Sequence, residues 1–124
     1  MPAAKPAASE FEYRAAQKAC AVIDSSARGR LRISGNTRLD YLHRMSTNDL
    51  LKLQIGQGAA TIFVTPIARI IDRTVVYIRE NDLIMLTSRA AQLRVMAWLK
   101  KYIFFNDNVQ LEDATQELGM LSVY

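Results

Sequence analysis

The sequence predicts an α+β domain in which two or three helices pack on a mainly antiparallel sheet. Several short segments alternate apolar and polar residues, which is typical of half-buried strands. Segments with apolar residues three and four positions apart lie between them and predict helices. The turns are short, so consecutive strands are expected to pair as meanders. The 124 residues are enough for one domain with a modest core, and we place it at residues 9–124.

The charge and the cysteine content of the chain exclude several classes of function. The net charge is +4, but the basic residues are dispersed, so we expect no nucleic-acid partner. The single cysteine, Cys20, excludes an internal disulfide and a cysteine-based metal site. We expect it to be a small buried apolar residue of a cytoplasmic protein. No apolar run is long enough to span a membrane, and residues 1–8 are expected to form a disordered tail.

The first half of the chain predicts two helices with a strand between them. Ser9 and Glu12 form a capping-box pattern at the start of a helix over residues 9–22. Residues 28–34 alternate as a strand that places three arginines on one face. That row either faces solvent or grips a phosphate or carboxylate. Thr37 and Asp40 are expected to cap a second helix that ends near Met45, and the lone histidine in it is interpreted as a packed or surface residue.

The second half predicts a three-stranded meander, a helix and two further strands. The meander comprises residues 58–65, 68–78 and 83–87. Ser88 is expected to cap the following helix, whose wide apolar face comprises Ala91, Val95, Trp98, Leu99 and Tyr102. Two last strands lie near residues 109–113 and 118–124. Because the sequence stops within a strand, we expect an unfinished sheet edge that is open to a partner chain or to self-association.

Asp72 is the chemically unusual residue of the meander. Alternation along the strand places it on the same face as Thr74, Val76 and Ile78. Burying a carboxylate is costly unless another group pairs with it. Two interpretations remain open: an ion pair with an arginine of a neighbouring strand, or a carboxylate that lines a ligand pocket.

No phosphate loop, zinc motif or nucleophile elbow is present, but the order of several segments is familiar. Three segments, in this order, resemble the N-terminal half of the glycine cleavage T-protein superfamily. They are "VIDSSARGRLRISGNTRLDYLHRMSTNDL", a Gln-Gly strand and "ARIIDRTVVY". That superfamily includes aminomethyltransferases and YgfZ-type folate-binding proteins. The segment "LKKYIFFNDNVQLED" is more similar to the YgfZ-type branch.

The resemblance implies part of a T-protein-like folate-binding fold and tetrahydrofolate as its small-molecule cofactor. Asp72 takes the first place of the family's acidic pair, and Arg73 occupies the place of the second, working acid. Thr87 and Ser88 match the turn that faces the pterin. The resemblance therefore implies Asp72, Arg73, Thr87 and Ser88 as cofactor-binding residues, with Asp72 as the candidate catalytic residue and no metal ligands.

Three functional hypotheses follow. The first is a tetrahydrofolate-binding module that serves one-carbon metabolism or the maintenance of iron–sulfur proteins. The second is an active aminomethyltransferase in which Asp72 replaces the lost acid, which needs a bulge near Pro66 to re-aim its side chain. The third is a non-catalytic interaction domain. An arginine cannot act as an acid or base near neutral pH, so Arg73 weighs against ordinary aminomethyl transfer.

Overall fold

The computed structural model describes residues 9–124 and confirms the predicted α+β fold. Its helices are α1 (Glu10–Lys18), α2 (Arg38–Met45) and α3 (Gln92–Lys100). Its strands are β1 (Val22–Asp24), β2 (Arg28–Ser34), β3 (Gly58–Val64), β4 (Ile70–Ile78), β5 (Leu83–Arg89), β6 (Gln110–Asp113) and β7 (Leu121–Val123). The tail expected at residues 1–8 lies outside the described residues.

The main sheet has five antiparallel strands in the order β3-β4-β5-β2-β6. The predicted meander of β3, β4 and β5 is confirmed. A separate two-stranded sheet joins β1 to β7. The prediction missed β1, because α1 ends at Lys18 rather than continuing to residue 22. Cys20 consequently lies outside the helix and is exposed, so its expected burial was wrong.

One face of the main sheet carries the core. Its fully buried side chains pack against Val95 and Leu99 of α3. They belong to Leu31, Ile33, Phe63, Val76 and Met85. The predicted apolar face of α3 is confirmed, and its Trp98 ring lies between Phe63 and Tyr102, with ring centroids 5.8 and 5.1 Å away. We call this the inner face of the sheet and the opposite side the outer face.

The helix starts only partly follow the predicted capping. The capping box of Ser9 and Glu12 is present. Thr37 is the N-cap residue of α2, but its side chain does not cap the helix; its hydroxyl accepts from the Asn108 backbone N–H at 2.8 Å. His43 is half-buried, and its Nδ1 accepts from the Leu50 N–H at 3.2 Å, in agreement with a packed histidine.

The arginine row of β2 is held by the chain itself. Arg30 is 3% exposed, and its guanidinium donates to the backbone carbonyls of Ser26, Arg28 and Thr115. Arg32 Nη2 lies 2.8 Å from Glu117 Oε1, and this guanidinium lowers the pKa of the Glu117 carboxyl. Arg30 and Arg32 therefore neither lie free in solvent nor await a phosphate, because Arg30 binds backbone carbonyls and Arg32 pairs with the chain's own carboxylates.

Tyr41 connects α2 to α3. The side chain is fully buried, and its hydroxyl donates to the Leu99 carbonyl. Burial, together with the nearby Asp107 carboxylate, raises the pKa of Tyr41 to about 12.

We therefore predict a loss of stability in alkali that depends on Tyr41. Because the folded-state pKa lies above the usual value near 10, the stabilisation is complete below about pH 10 and is lost as the pH rises towards about 12. Replacing Tyr41 with Phe should lower stability at pH 8 by about 1 kcal/mol and make the decline between pH 10 and 12 shallower. Urea unfolding across this pH range measures both effects, and equal slopes in the two proteins would contradict the account.

Candidate functional site

The main sheet divides at one end, between β4 and β5. These strands pair only from Val75–Leu86 to Ile78–Leu83. Beyond Val75, β4 stays paired with β3, through Thr74–Thr61 to Asp72–Phe63. The last residue of β5, Arg89, pairs instead with Arg28 of β2. A bulge accompanies the division on each side, at Ile71 in β4 and near Gly29 in β2.

Asp72 bridges this division. Its Oδ2 accepts from the Ser88 backbone N–H at 2.9 Å, and its Oδ1 accepts from the Ser88 hydroxyl at 2.5 Å. Asp72 is 6% exposed, so two charge-assisted hydrogen bonds in a largely dry position replace the missing ladder bonds. Within residues 9–124 no arginine or lysine lies within ion-pair distance of this carboxylate, so the first of the two interpretations, an ion pair with a neighbouring arginine, was wrong.

Other side chains satisfy the remaining backbone groups at the division. Arg28 Nε donates to the Thr87 carbonyl at 3.2 Å, and the Thr87 hydroxyl donates to the Ser88 carbonyl at 3.0 Å. Arg94 Nη2 of α3 donates to the Ile71 carbonyl of the bulge at 3.1 Å. The division is therefore a hydrogen-bonded structure held together by side chains from three strands and one helix.

Ser88 does not cap α3 as predicted. The N-cap residue is Ala91, and Ala90 before it has a positive φ of 59°. The turn at Ala90 separates Ser88 from the helix start, and the Ser88 hydroxyl is engaged by Asp72 instead. The Asp72 carboxylate competes with the start of α3 for the Ser88 hydroxyl. This competition depends on the tertiary structure, so the local capping pattern cannot predict it.

The four predicted cofactor-binding residues do not share one surface. Asp72 and Thr87 are buried on the inner face, and Ser88 bonds to Asp72 at the division. Arg73 is exposed and points to the opposite side of β4. A single ligand on either face of the sheet would therefore contact only part of the predicted set.

The bulge required by the active-transferase hypothesis is present, but Asp72 still points inward. The extra residue is Ile71, between the pairs Val64–Ile70 and Phe63–Asp72. Each Asp72 oxygen accepts one hydrogen bond from Ser88, and the side chain lies on the buried face of β4, away from a ligand at the outer face. Among the described residues, no cluster of histidine, cysteine, aspartate and glutamate could hold a metal ion, and no helix there is long and apolar enough to cross a bilayer.

The outer face offers a cleft that the residue-by-residue prediction missed. Its volume is about 570 Å³, and it lies between the outer face of β4 and β5 and the C-terminal strand. Val75 and Leu86 form its apolar floor, Tyr77 is 45% exposed beside them, and Arg28 lines one side. The signal was present in the sequence, because the alternation that separates Arg73 from Asp72 also groups Arg73 with Val75 and Tyr77.

Comparisons with known proteins agree with this architecture. Residues 3–124 match the family described as the GCVT N-terminal domain. A chloroplastic protein of Arabidopsis thaliana that carries a provisional transferase name is 38% identical over 102 residues, 82% of this chain and 24% of that protein. The aminomethyltransferase of Chlorobaculum tepidum is 30% identical over 113 residues, 90% of this chain and 31% of that protein.

The fold also matches a solved structure. The glycine cleavage system aminomethyltransferase T from Bartonella henselae superposes with a TM-score of 0.72 at 18% identity, over 84% of this chain and 28% of that one. Fold and sequence thus define a domain similar to the N-terminal part of the glycine cleavage T protein. The chain belongs to the GCVT N-terminal domain family. It spans about a quarter to a third of the length of these relatives.

We predict that Asp72 and Ser88 stabilise the domain as a coupled pair. Replacing Asp72 with Ala leaves the Ser88 N–H without its partner and should cost about 2–3 kcal/mol. Replacing Ser88 with Ala should cost less, because its backbone N–H can still donate to Asp72. A double-mutant cycle by urea unfolding should give a coupling free energy of about 1 kcal/mol or more.

Arg73 supplies the control for this cycle, because it is the exposed neighbour of Asp72. Replacing Arg73 with Gln should change stability by no more than about 0.5 kcal/mol. Additive effects of the Asp72 and Ser88 substitutions would contradict the bridge.

Proposed function

We propose that this domain binds tetrahydrofolate as a folate-binding module of the T-protein and YgfZ-type superfamily, within one-carbon metabolism or the maintenance of iron–sulfur proteins. The observation that carries the proposal is the outer-face cleft, because its composition suits a folate. Val75, Leu86 and Tyr77 supply an apolar and aromatic floor for a pterin. Arg28 lines the cleft, and Arg73 lies outside that lining on the same side of β4 as Val75 and Tyr77. Both arginines supply cations for the glutamate carboxylates.

The proposed roles differ from those that the resemblance implied. Arg73 contacts the folate from the outer face, whereas Asp72, Thr87 and Ser88 hold the strands that form the cleft. Asp72 is thus a structural residue in this proposal and no catalytic role is assigned to it. Because the position of the family's working acid holds an arginine, which donates hydrogen bonds but does not exchange protons near neutral pH, we favour folate binding over aminomethyl transfer.

Calorimetric titration of the protein with folinic acid tests this proposal. We expect saturable binding that weakens by about two- to tenfold when Tyr77 is replaced with Ala, since an aromatic contact contributes about 0.5–1.5 kcal/mol. Replacing Tyr13, an exposed tyrosine of α1 outside the cleft, with Ala should leave the affinity unchanged. Absence of heat at high micromolar folinic acid, or equal losses in both tyrosine variants, would refute folate binding at the outer face.

A second function, self-association through the β1–β7 sheet, is favoured by one observation. Four apolar side chains of this two-stranded sheet are more than half exposed: Val22, Ile23, Leu121 and Val123. Two-stranded sheets are marginally stable alone, and their free edges can pair with another strand. Size-exclusion chromatography should give a dimer that Ile23→Lys converts to a monomer. A monomer at high micromolar concentration would contradict this second proposal and leave folate binding unaffected.

A further inference from the structure

A second cleft lies at the opposite side of the sheet division, between the turn before β4 and helix α3. Its volume is about 540 Å³, within the range of small-molecule sites. Its walls are mostly apolar, and three cationic side chains line it without a carboxylate. We call it the basic cleft and define it by Arg69, Ile70, Ile71, Arg94, Trp98 and Lys101.

The aromatic wall of the basic cleft is fixed in place. Trp98 is half-buried and packs between Phe63 and Tyr102, so its ring orientation is set before any ligand arrives. Beside it, Ile70 is 68% exposed. An aromatic ring and an exposed aliphatic side chain facing the same space form a surface on which a planar ligand can stack.

Hydrogen bonds within the chain fix the backbone of Arg69 and the guanidinium of Arg94. The turn before β4 is closed by the Thr65 N–H donating to the Arg69 carbonyl at 2.8 Å, and the Arg69 N–H donates to the Thr65 hydroxyl at 3.1 Å. Arg94 is anchored through Nη2 to the bulge carbonyl of Ile71, which leaves its other nitrogens available as donors.

Charge in the basic cleft is uncompensated. No carboxylate lies within 4.0 Å of the charged groups of Arg69, Arg94 or Lys101 among residues 9–124, although Arg14, Arg32, Arg44 and Arg79 all have such partners. Three cations held around one apolar floor repel one another, and a bound anion would relieve that repulsion.

We propose that the basic cleft binds a planar aromatic ligand that carries two or more negative charges. The ring stacks on Trp98 and the isoleucines, and the acidic groups pair with Arg69, Arg94 and Lys101. Phosphates and carboxylates share this chemistry, since both accept charge-assisted hydrogen bonds from guanidinium and ammonium groups. This site is separate from the outer-face cleft and does not depend on folate binding there.

The chain contains one tryptophan, so its indole N–H gives a single NMR signal from inside the proposed site. Adenosine triphosphate and benzene-1,3,5-tricarboxylate are the probes for aromatic phosphates and aromatic carboxylates, and inorganic triphosphate is the non-aromatic comparison. We expect saturable shifts of the indole signal with at least one aromatic probe at submillimolar to millimolar concentration, and weaker binding of inorganic triphosphate. The aromatic probe that responds identifies the acidic group.

The double variant Arg69→Gln, Lys101→Gln should weaken binding about tenfold or more, because two charged contacts are lost. Both residues are exposed, so the fold should be retained, and an unchanged set of the other NMR signals verifies it. Lys52→Gln is the matched control, since it removes an exposed cation from outside the cleft, and Tyr77→Ala should leave the indole response unchanged.

Three results would overturn the proposal. The first is no indole shift with either aromatic probe, and the second is equal binding of inorganic triphosphate, which would remove the aromatic requirement. The third is an equal loss of affinity in Lys52→Gln and in the double variant, which would indicate general attraction to a basic protein. Because the Tyr77 variant disables only the outer-face cleft, the failure of either proposal is distinguishable from failure of the other.

Discussion

The hydrogen bonds between Asp72 and Ser88 are the interaction on which the functional end of this domain depends. At this end the sheet separates into two pairs of strands, β3 with β4 and β5 with β2. Separation leaves backbone donors and acceptors without ladder partners, which is costly in a buried position. The Asp72 carboxylate accepts the hydrogen bond of the Ser88 N–H. The side chains of Arg28, Thr87 and Arg94 donate to the neighbouring backbone carbonyls.

The division has a consequence on each side of the sheet. On the outer face, the cleft bordered by Val75, Tyr77 and Leu86 lies next to the last paired residues of β4 and β5. On the other side, the bulge at Ile71 and the helix α3 border the basic cleft. Arg94 belongs to both structures, because it bonds to the bulge and also lines that cleft. One local departure from regular pairing thus positions both candidate binding surfaces.

Local sequence patterns predicted most of the fold. Period-two alternation correctly placed Asp72 with Thr74 and Val76 on the buried face, and the apolar spacing of α3 identified its packed side. The failures had long-range causes. The partner of Asp72 lies 16 residues away, the partners of Arg30 include Thr115, and β1 exists because it pairs with β7. None of these contacts leaves a signal in a short window of sequence.

The geometry of a strand determines which of the predicted site residues can lie on one face. The resemblance grouped Asp72, Arg73, Thr87 and Ser88, but adjacent residues of a strand point to opposite faces, so Asp72 and Arg73 cannot contact one face together. The structure also gives Asp72 a role that the resemblance did not imply, as the residue that joins two strands. Arg73, Val75 and Tyr77 become the residues of β4 that a ligand on the outer face would meet.

Mapping folinic acid onto the backbone amide NMR signals tests this division of roles most directly. We expect the largest shifts to cluster at Val75, Tyr77 and Leu86, with Ser88 and the residues of α3 little affected. Shifts concentrated at Asp72 and Ser88, with Tyr77 unchanged, would show instead that the carboxylate faces the ligand and that the outer face does not bind it.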